Sequence, residues 1–179
     1  EYVVFEGPGM DAFAESPEWG GALVIFPYMY YETYGDDSLI KKYYQNMRRY
    51  VDYLFTRADN HILSFGLGDW YDYGDFRAGF SRNTPVPLVA TAHYYMIVEY
   101  LIKAARIVGN ADDARYYNSL ANDIVVAFNE RFLDYDAAQY GTGSQCSNAL
   151  PLFLDMVLSR GHSGGYETDR HLERKVFKN

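Results

Sequence analysis

Apolar positions along the chain recur mostly at helical spacing, and proline, glycine and capping residues punctuate them. Ser16-Pro17-Glu18-Trp19 reads as a helix start: serine caps, proline takes the first helical position and glutamate favours the positive end. The helix is expected to run through Ala22-Leu23-Val24-Ile25-Phe26, to kink at or tolerate Pro27, and to end at Gly35. Asp36-Asp37-Ser38 begins a second helix. Its Ile40, Tyr43, Tyr44, Met47, Val51 and Leu54 fall on one stripe.

His61 to Gly68 is short, alternating and bounded by glycine, as a turn or small strand would be. Asp69 to Arg82 is a loop rich in Asp, Gly and aromatics. Thr84-Pro85 starts a third helix, expected to reach Val108 and stop at Gly109. Asn110-Ala111-Asp112-Asp113 starts a fourth, with Tyr117, Leu120, Ile124 and Phe128 on one face. Asp134 to Gln145 is a loop, and Ser147 to about Leu158 is a fifth helix with Pro151 near its first turn.

This order repeats. Gly35-Asp36-Asp37 with Tyr43-Tyr44 is matched by Gly109-Asn110 with Tyr116-Tyr117, an offset of about 74 residues. Paired helices at a fixed period predict an all-α array or toroid of helical hairpins, with short strands or turns in its loops. The first helix of each pair is the more apolar all round and is expected to be the inner one. The long loops then gather at the end where inner helices begin, and a site is expected there.

Composition narrows the function. The chain has 179 residues, a net charge of −8, 49% hydrophobic and 22% charged residues. That composition suits a folded domain rather than a disordered chain. The acidic balance argues against a nucleic-acid partner. No apolar run reaches the roughly 18 residues of a membrane span. A single cysteine, Cys146, excludes an internal disulfide framework and a multi-cysteine zinc site. No histidines have zinc-site spacing, so no metal or cofactor is expected. Tyrosine is unusually frequent, 19 against 14 leucines. Tyrosine suits neutral polar ligands such as sugars, and equally a wide core with polar edges.

The richest chemistry lies in Gly66-Leu67-Gly68-Asp69-Trp70-Tyr71-Asp72-Tyr73-Gly74-Asp75. Aromatic faces stack on the apolar side of pyranose rings, and carboxylates accept hydrogen bonds from hydroxyls. The alternative is an exposed acidic loop with Trp70 as a packing anchor. Asp-x-x-Asp-x-x-Asp is not the pattern of a calcium loop. Trp19 could face a ligand at the mouth of a helical ring or fix the start of its helix. His93, mid-helix, reads as a packing residue. Cys146 precedes a helix, where a thiolate would be stabilised, but a buried structural thiol is the simpler reading.

Four ordered segments resemble one family. They are Pro17-Glu18-Trp19-Gly20-Gly21-Ala22 with Tyr34-Gly35-Asp36, Gly66-Leu67-Gly68-Asp69-Trp70, the Thr84-Pro85 helix reaching Tyr94-Tyr95, and Gln145-x-x-Asn148-Ala149-Leu150-Pro151-Leu152. Together they resemble the inverting α-L-rhamnosidases of glycoside hydrolase family 78, whose catalytic domain is an (α/α)6 barrel. The resemblance covers about residues 1–158 and implies roughly half of that six-hairpin toroid. It implies rhamnose-containing glycans or glycosides as ligands, with Trp19 and Trp70 lining the sugar pocket and Asp69 hydrogen bonding beside them. The family's general acid and base lie in segments with no counterpart here, so the catalytic residues are expected outside this chain and the chain alone is expected to be inactive.

Residues 159–179 are rich in charge and read as an atypical tail, mobile or forming one terminal helix. Residue 1 is Glu, as expected of a chain that was processed or cut, and no signal peptide is recognisable in the first residues, which says little for such a chain. A half toroid would expose apolar edges, through which the chain could form a homo-oligomer. Two other functions stay open on the residues alone. One is another helical-toroid carbohydrate enzyme with its own catalytic groups in this half. The other is a non-catalytic helical-repeat scaffold that binds protein.

Overall fold

The computed structural model describes residues 15–79, 81–160, 166–168 and 176. In chain order the helices are α1 (Pro17–Gly20), α2 (Ala22–Tyr34), α3 (Ser38–Arg57), α4 (Val86–Ile107), α5 (Ala111–Phe132) and α6 (Gln145–Phe153). Three two-stranded antiparallel ribbons sit between or after them: β1 (Asp72–Gly74) with β2 (Phe76–Gly79), β3 (Leu133–Asp134) with β4 (Gln139–Tyr140), and β5 (Leu158–Arg160) with β6 (Tyr166–Thr168). The chain is thus mostly helical, as the hairpin repeat predicts.

The first expected helix is divided in two. The two parts meet at Gly21, which keeps helical dihedrals (φ −56°, ψ −21°), and there the backbone passes against two other helices. A Cβ on Gly20 would lie 2.0 Å from Tyr50 Oη of α3, and one on Gly21 would lie 2.7 Å from Ile97 Cδ1 of α4. Pro27, by contrast, is accommodated inside a continuous α2. Gly35 ends α2 in the left-handed region (φ 69°), its N–H reaching Tyr31 O at 2.8 Å.

Along α3, Ile40, Tyr44, Met47, Val51 and Leu54 are buried as the stripe predicts, and Tyr50 joins them. Tyr43 differs: it is exposed. α4 lies at the centre, packed most heavily on α5 and touching α1, α2, α3 and α6. It buries twelve residues, from Leu88 to Ala105. The expectation of an inner helix therefore holds for α4. It fails for α2, which buries only Val24 and Pro27.

One cluster of core residues joins α2, α3, α4 and α5 around Met47, Tyr94, Ile97 and Leu101. A second gathers Leu88, Val89, Phe128, Tyr140, Met156 and Val157 beneath β3 and β4, with Val176 packed into it. α6 is shorter than expected. It stops at Phe153, and the chain turns through Asp155 (φ 54°) into β5. The helix or mobile tail expected after residue 159 falls mostly outside the described residues. Of those described, Tyr166–Thr168 pair with Leu158–Arg160.

Candidate functional site

The long loops meet at one end of the helices, where α1, α4 and α6 begin, and polar side chains stitch them together. Two of the stitches are hydroxyls that precede a proline. Ser16 stands at the N-cap of α1 but makes no side-chain capping bond. Its hydroxyl instead donates to Glu18 Oε2 and accepts from Leu67 N–H at 3.2 Å. Thr84 behaves alike at the start of α4. Fully buried, it donates to Asp69 Oδ2 at 3.1 Å and pairs with Ser144 Oγ at 2.7 Å. Ser144 in turn caps α6, accepting from Ser147 N–H at 3.1 Å. Thr142 adds a bond from its hydroxyl to Asn83 O.

Glu18 completes the link on the α1 side, its Oε1 accepting from Gly68 N–H at 3.0 Å. The loop carrying Asp69 and Trp70 is therefore held from α1 through residues 67 and 68, and from α4 through Asp69 itself. Trp19 and Trp70 come to the same end of the molecule. Trp19 is 73% exposed and Trp70 39% exposed, the latter meeting Tyr71 edge-on at 5.7 Å between ring centroids. Such half-open aromatic surfaces are available for stacking.

The three aspartates at spacing three do not converge. Asp72 is buried and turned onto the chain's own backbone: its Oδ2 accepts from Arg82 N–H at 2.7 Å and Asn83 N–H at 2.6 Å, and its Oδ1 accepts from Asn83 Nδ2. These bonds fold the 69–84 loop back toward α4. Asp75 is exposed at the turn between β1 and β2. Asp69 alone stands beside Trp70 with one oxygen engaged by Thr84 and the side chain partly open.

Cys146 belongs to the same cluster. Burial, then the negative charge of Asp69, raises its thiol to about 11. Desolvation outweighs the helix start, so Cys146 is an unionised packing thiol at neutral pH. His93 donates within its own helix, Nδ1–H to Val89 O at 2.9 Å, consistent with a packing role. Among the described residues no group of three His, Cys, Asp or Glu could hold a metal ion, and no helix is long and apolar enough to cross a membrane.

Ser16, Glu18, Thr84 and Ser144 were not singled out from sequence as a connected set. The usable signal was the hydroxyl before each helix-starting proline. From sequence each marks a helix start, and for Ser16 capping is the commoner use of that position.

Helical hairpins whose first helices begin at one shared loop end define an α-hairpin architecture. The comparisons narrow that class. The family described as the bacterial alpha-L-rhamnosidase 6 hairpin glycosidase domain matches residues 3–177, and the chain belongs to it. An alpha-L-rhamnosidase of Alteromonas sp. (strain LOR) is 28% identical over 147 residues, which are 79% of this chain and 16% of that protein. The structure of alpha-L-rhamnosidase from Dictyoglumus thermophilum superposes with a TM-score of 0.79 at 28% identity, over 93% of this chain and 18% of that one. The Streptomyces avermitilis alpha-L-rhamnosidase complexed with L-rhamnose shares the fold, with a TM-score of 0.72 at 23% identity, over 89% of this chain and 14% of that one. The chain thus spans about one-sixth of the length of the curated relatives it matches.

Proposed function

We propose that this chain supplies the aromatic wall of an α-L-rhamnose site, with Trp19 and Trp70 stacking on the sugar and Asp69 accepting from its hydroxyls. The observation that carries this reading is the tie between α1 and the 66–70 loop. It gathers two partly exposed tryptophans and one partly open carboxylate at a single loop end. Family membership supplies the sugar class, and the solved relative complexed with L-rhamnose is consistent with it.

The reading assigns no general acid or base to this chain. Inverting hydrolysis needs two carboxyls roughly 6.5–9.5 Å apart with a water between them. Here two carboxylates of this end are occupied, Asp72 by three bonds from residues 82 and 83 and Glu18 by Ser16 and Gly68, which leaves Asp69 without either as a partner carboxyl. Titration of the purified chain with L-rhamnose should give a saturable change in tryptophan emission that is lost in Trp70→Ala. An aryl α-L-rhamnoside should not be turned over. Absence of a saturable response overturns the binding assignment. Turnover that co-purifies with the chain overturns the assignment of the acid and base elsewhere.

A second reading concerns association. Trp19, Leu23, Phe26, Tyr30 and Tyr34 are all exposed and follow one another at helical spacing along α1 and α2. That stripe is apolar and uncharged, the kind of face that is normally covered. Self-association through it predicts sedimentation that shifts with concentration. A single monomer boundary at high concentration overturns it.

A further inference from the structure

The contacts around the 66–70 loop point to one residue that governs it. We infer that Glu18 is a positioning residue for the Asp69–Trp70 rim, acting through the backbone of residues 66–68. The inference rests on the sugar-site reading above and adds what holds that site in shape.

Both oxygens of the Glu18 carboxylate have a task. Oε1 accepts from Gly68 N–H at 3.0 Å, and Oε2 accepts from the Ser16 hydroxyl. The oriented hydroxyl then accepts from Leu67 N–H at 3.2 Å. Two successive amides, immediately before Asp69, therefore hang on one carboxylate. Bonds from amides to an ionised acceptor are stronger than neutral ones.

The loop is shaped to receive this clamp. Gly66 has φ 131°, and a Cβ there would lie 2.7 Å from Glu18 Oε2 and 3.1 Å from Pro17 Cδ. Only glycine lets the backbone cross the carboxylate this closely. Gly68 has φ 68°, and a Cβ there would lie 2.7 Å from Ser81 Cβ. Neither glycine brings a side chain that could anchor the loop. The burial of Leu67 and the bonds from residues 16 and 18 do so instead.

Glu18 also precedes Trp19 in the same helical turn, while its Oε1 holds the residue two before Trp70. It thus makes a polar connection between the two tryptophan-bearing segments. Without it, the segment would keep the Thr84 tether on Asp69 and the Ser16 hydroxyl on Leu67 but lose the charged acceptor at Gly68.

The test pairs amide exchange with sugar binding. Glu18→Ala should speed exchange of the Gly68 amide by about tenfold to a hundredfold, the range expected for a bond to a charged acceptor. It should weaken L-rhamnose binding, read by tryptophan emission, by about tenfold or more while helical circular dichroism is retained. Glu18→Gln keeps one acceptor oxygen and should restore most of both. If Glu18→Ala does not fold, Ser16→Ala, which removes the Leu67 bond and the hydroxyl on Glu18 Oε2 but leaves the carboxylate on Gly68, should move both readouts in the same direction by less.

Unchanged exchange at Gly68 overturns the clamp. Faster exchange with unchanged L-rhamnose affinity overturns the positioning role. If the unaltered chain gives no response to L-rhamnose, the sugar-site reading itself fails and the positioning role fails with it, an outcome distinct from the other two.

Discussion

The two helical hairpins are related by the internal repeat, yet they are built into the molecule very differently. α2 and α4 are both apolar enough to be inner helices. α4 has neighbours around most of its circumference and buries twelve residues. α2 touches α3 and α4 on one side, and its Phe26 remains 65% exposed. Apolar character therefore states what a helix is prepared to bury, and its neighbours decide what it does bury.

The outer helices repeat the contrast. At the start of α5, Asn110 accepts from Asp113 N–H at 3.1 Å and donates to the Asp113 carboxylate at 2.7 Å. The same carboxylate takes a bond from Tyr44 at 2.7 Å and pairs with Arg48 of α3 at 3.1 Å. Tyr117 adds a bond to Asp52 at 2.7 Å. One helix cap thus doubles as the seam between the hairpins. The corresponding start of α3 has a local bond only, Asp36 Oδ1 accepting from Ser38 N–H at 2.9 Å, and a surface pair between Lys41 and Asp37.

The largest effect expected from this asymmetry is in the core of α4. Leu101 is fully buried between the hairpins. Leu101→Ala should cost about 2–5 kcal/mol of unfolding free energy, through lost burial and the cavity left behind. Phe26→Ala, on the uncovered face of α2, should stay within about 0.5 kcal/mol. Urea unfolding of the two variants at low protein concentration measures both. Comparable losses at the two sites would show that α2 is covered in solution and would break the contrast.

Much of this arrangement was legible in the chain. The stripe from Ile40 to Leu54, the stops at Gly35 and Gly109, and the repeat itself give the hairpins, because local period and backbone preference dominate there. What escaped was tertiary. At Gly20-Gly21 the backbone comes close to Tyr50 and Ile97, residues far along the chain. The early stop of α6 depends on Asp155 taking a positive φ as the chain turns toward β5. In the candidate site, Trp19, Trp70 and Asp69 stand out through the family resemblance rather than through residue type alone. That Asp72 would fold inward onto residues 82 and 83 could not be read from the chain, since its spacing from Asp69 resembles that of a partner carboxylate.

A smaller effect separates the two proline-preceded starts. Both Ser16 and Thr84 turn their hydroxyls to the 66–70 loop, but only Thr84 does so beside a thiol. Burial first and Asp69 second hold Cys146 at about 11, against 9.0 for an unperturbed thiol. In the folded chain the thiol keeps its proton to higher pH than in the unfolded chain. Its contribution to stability is therefore complete below pH about 9 and lost as pH rises toward about 11. Alkylation of the folded protein by iodoacetamide should accelerate with a midpoint near the upper value. Asp69→Asn removes one of the charges opposing the thiolate and should move that midpoint down while burial keeps it above that of an ordinary thiol. A midpoint unaffected by the substitution would mean that Asp69 faces away from Cys146 and that the α4 start is no more tightly gathered than the α1 start.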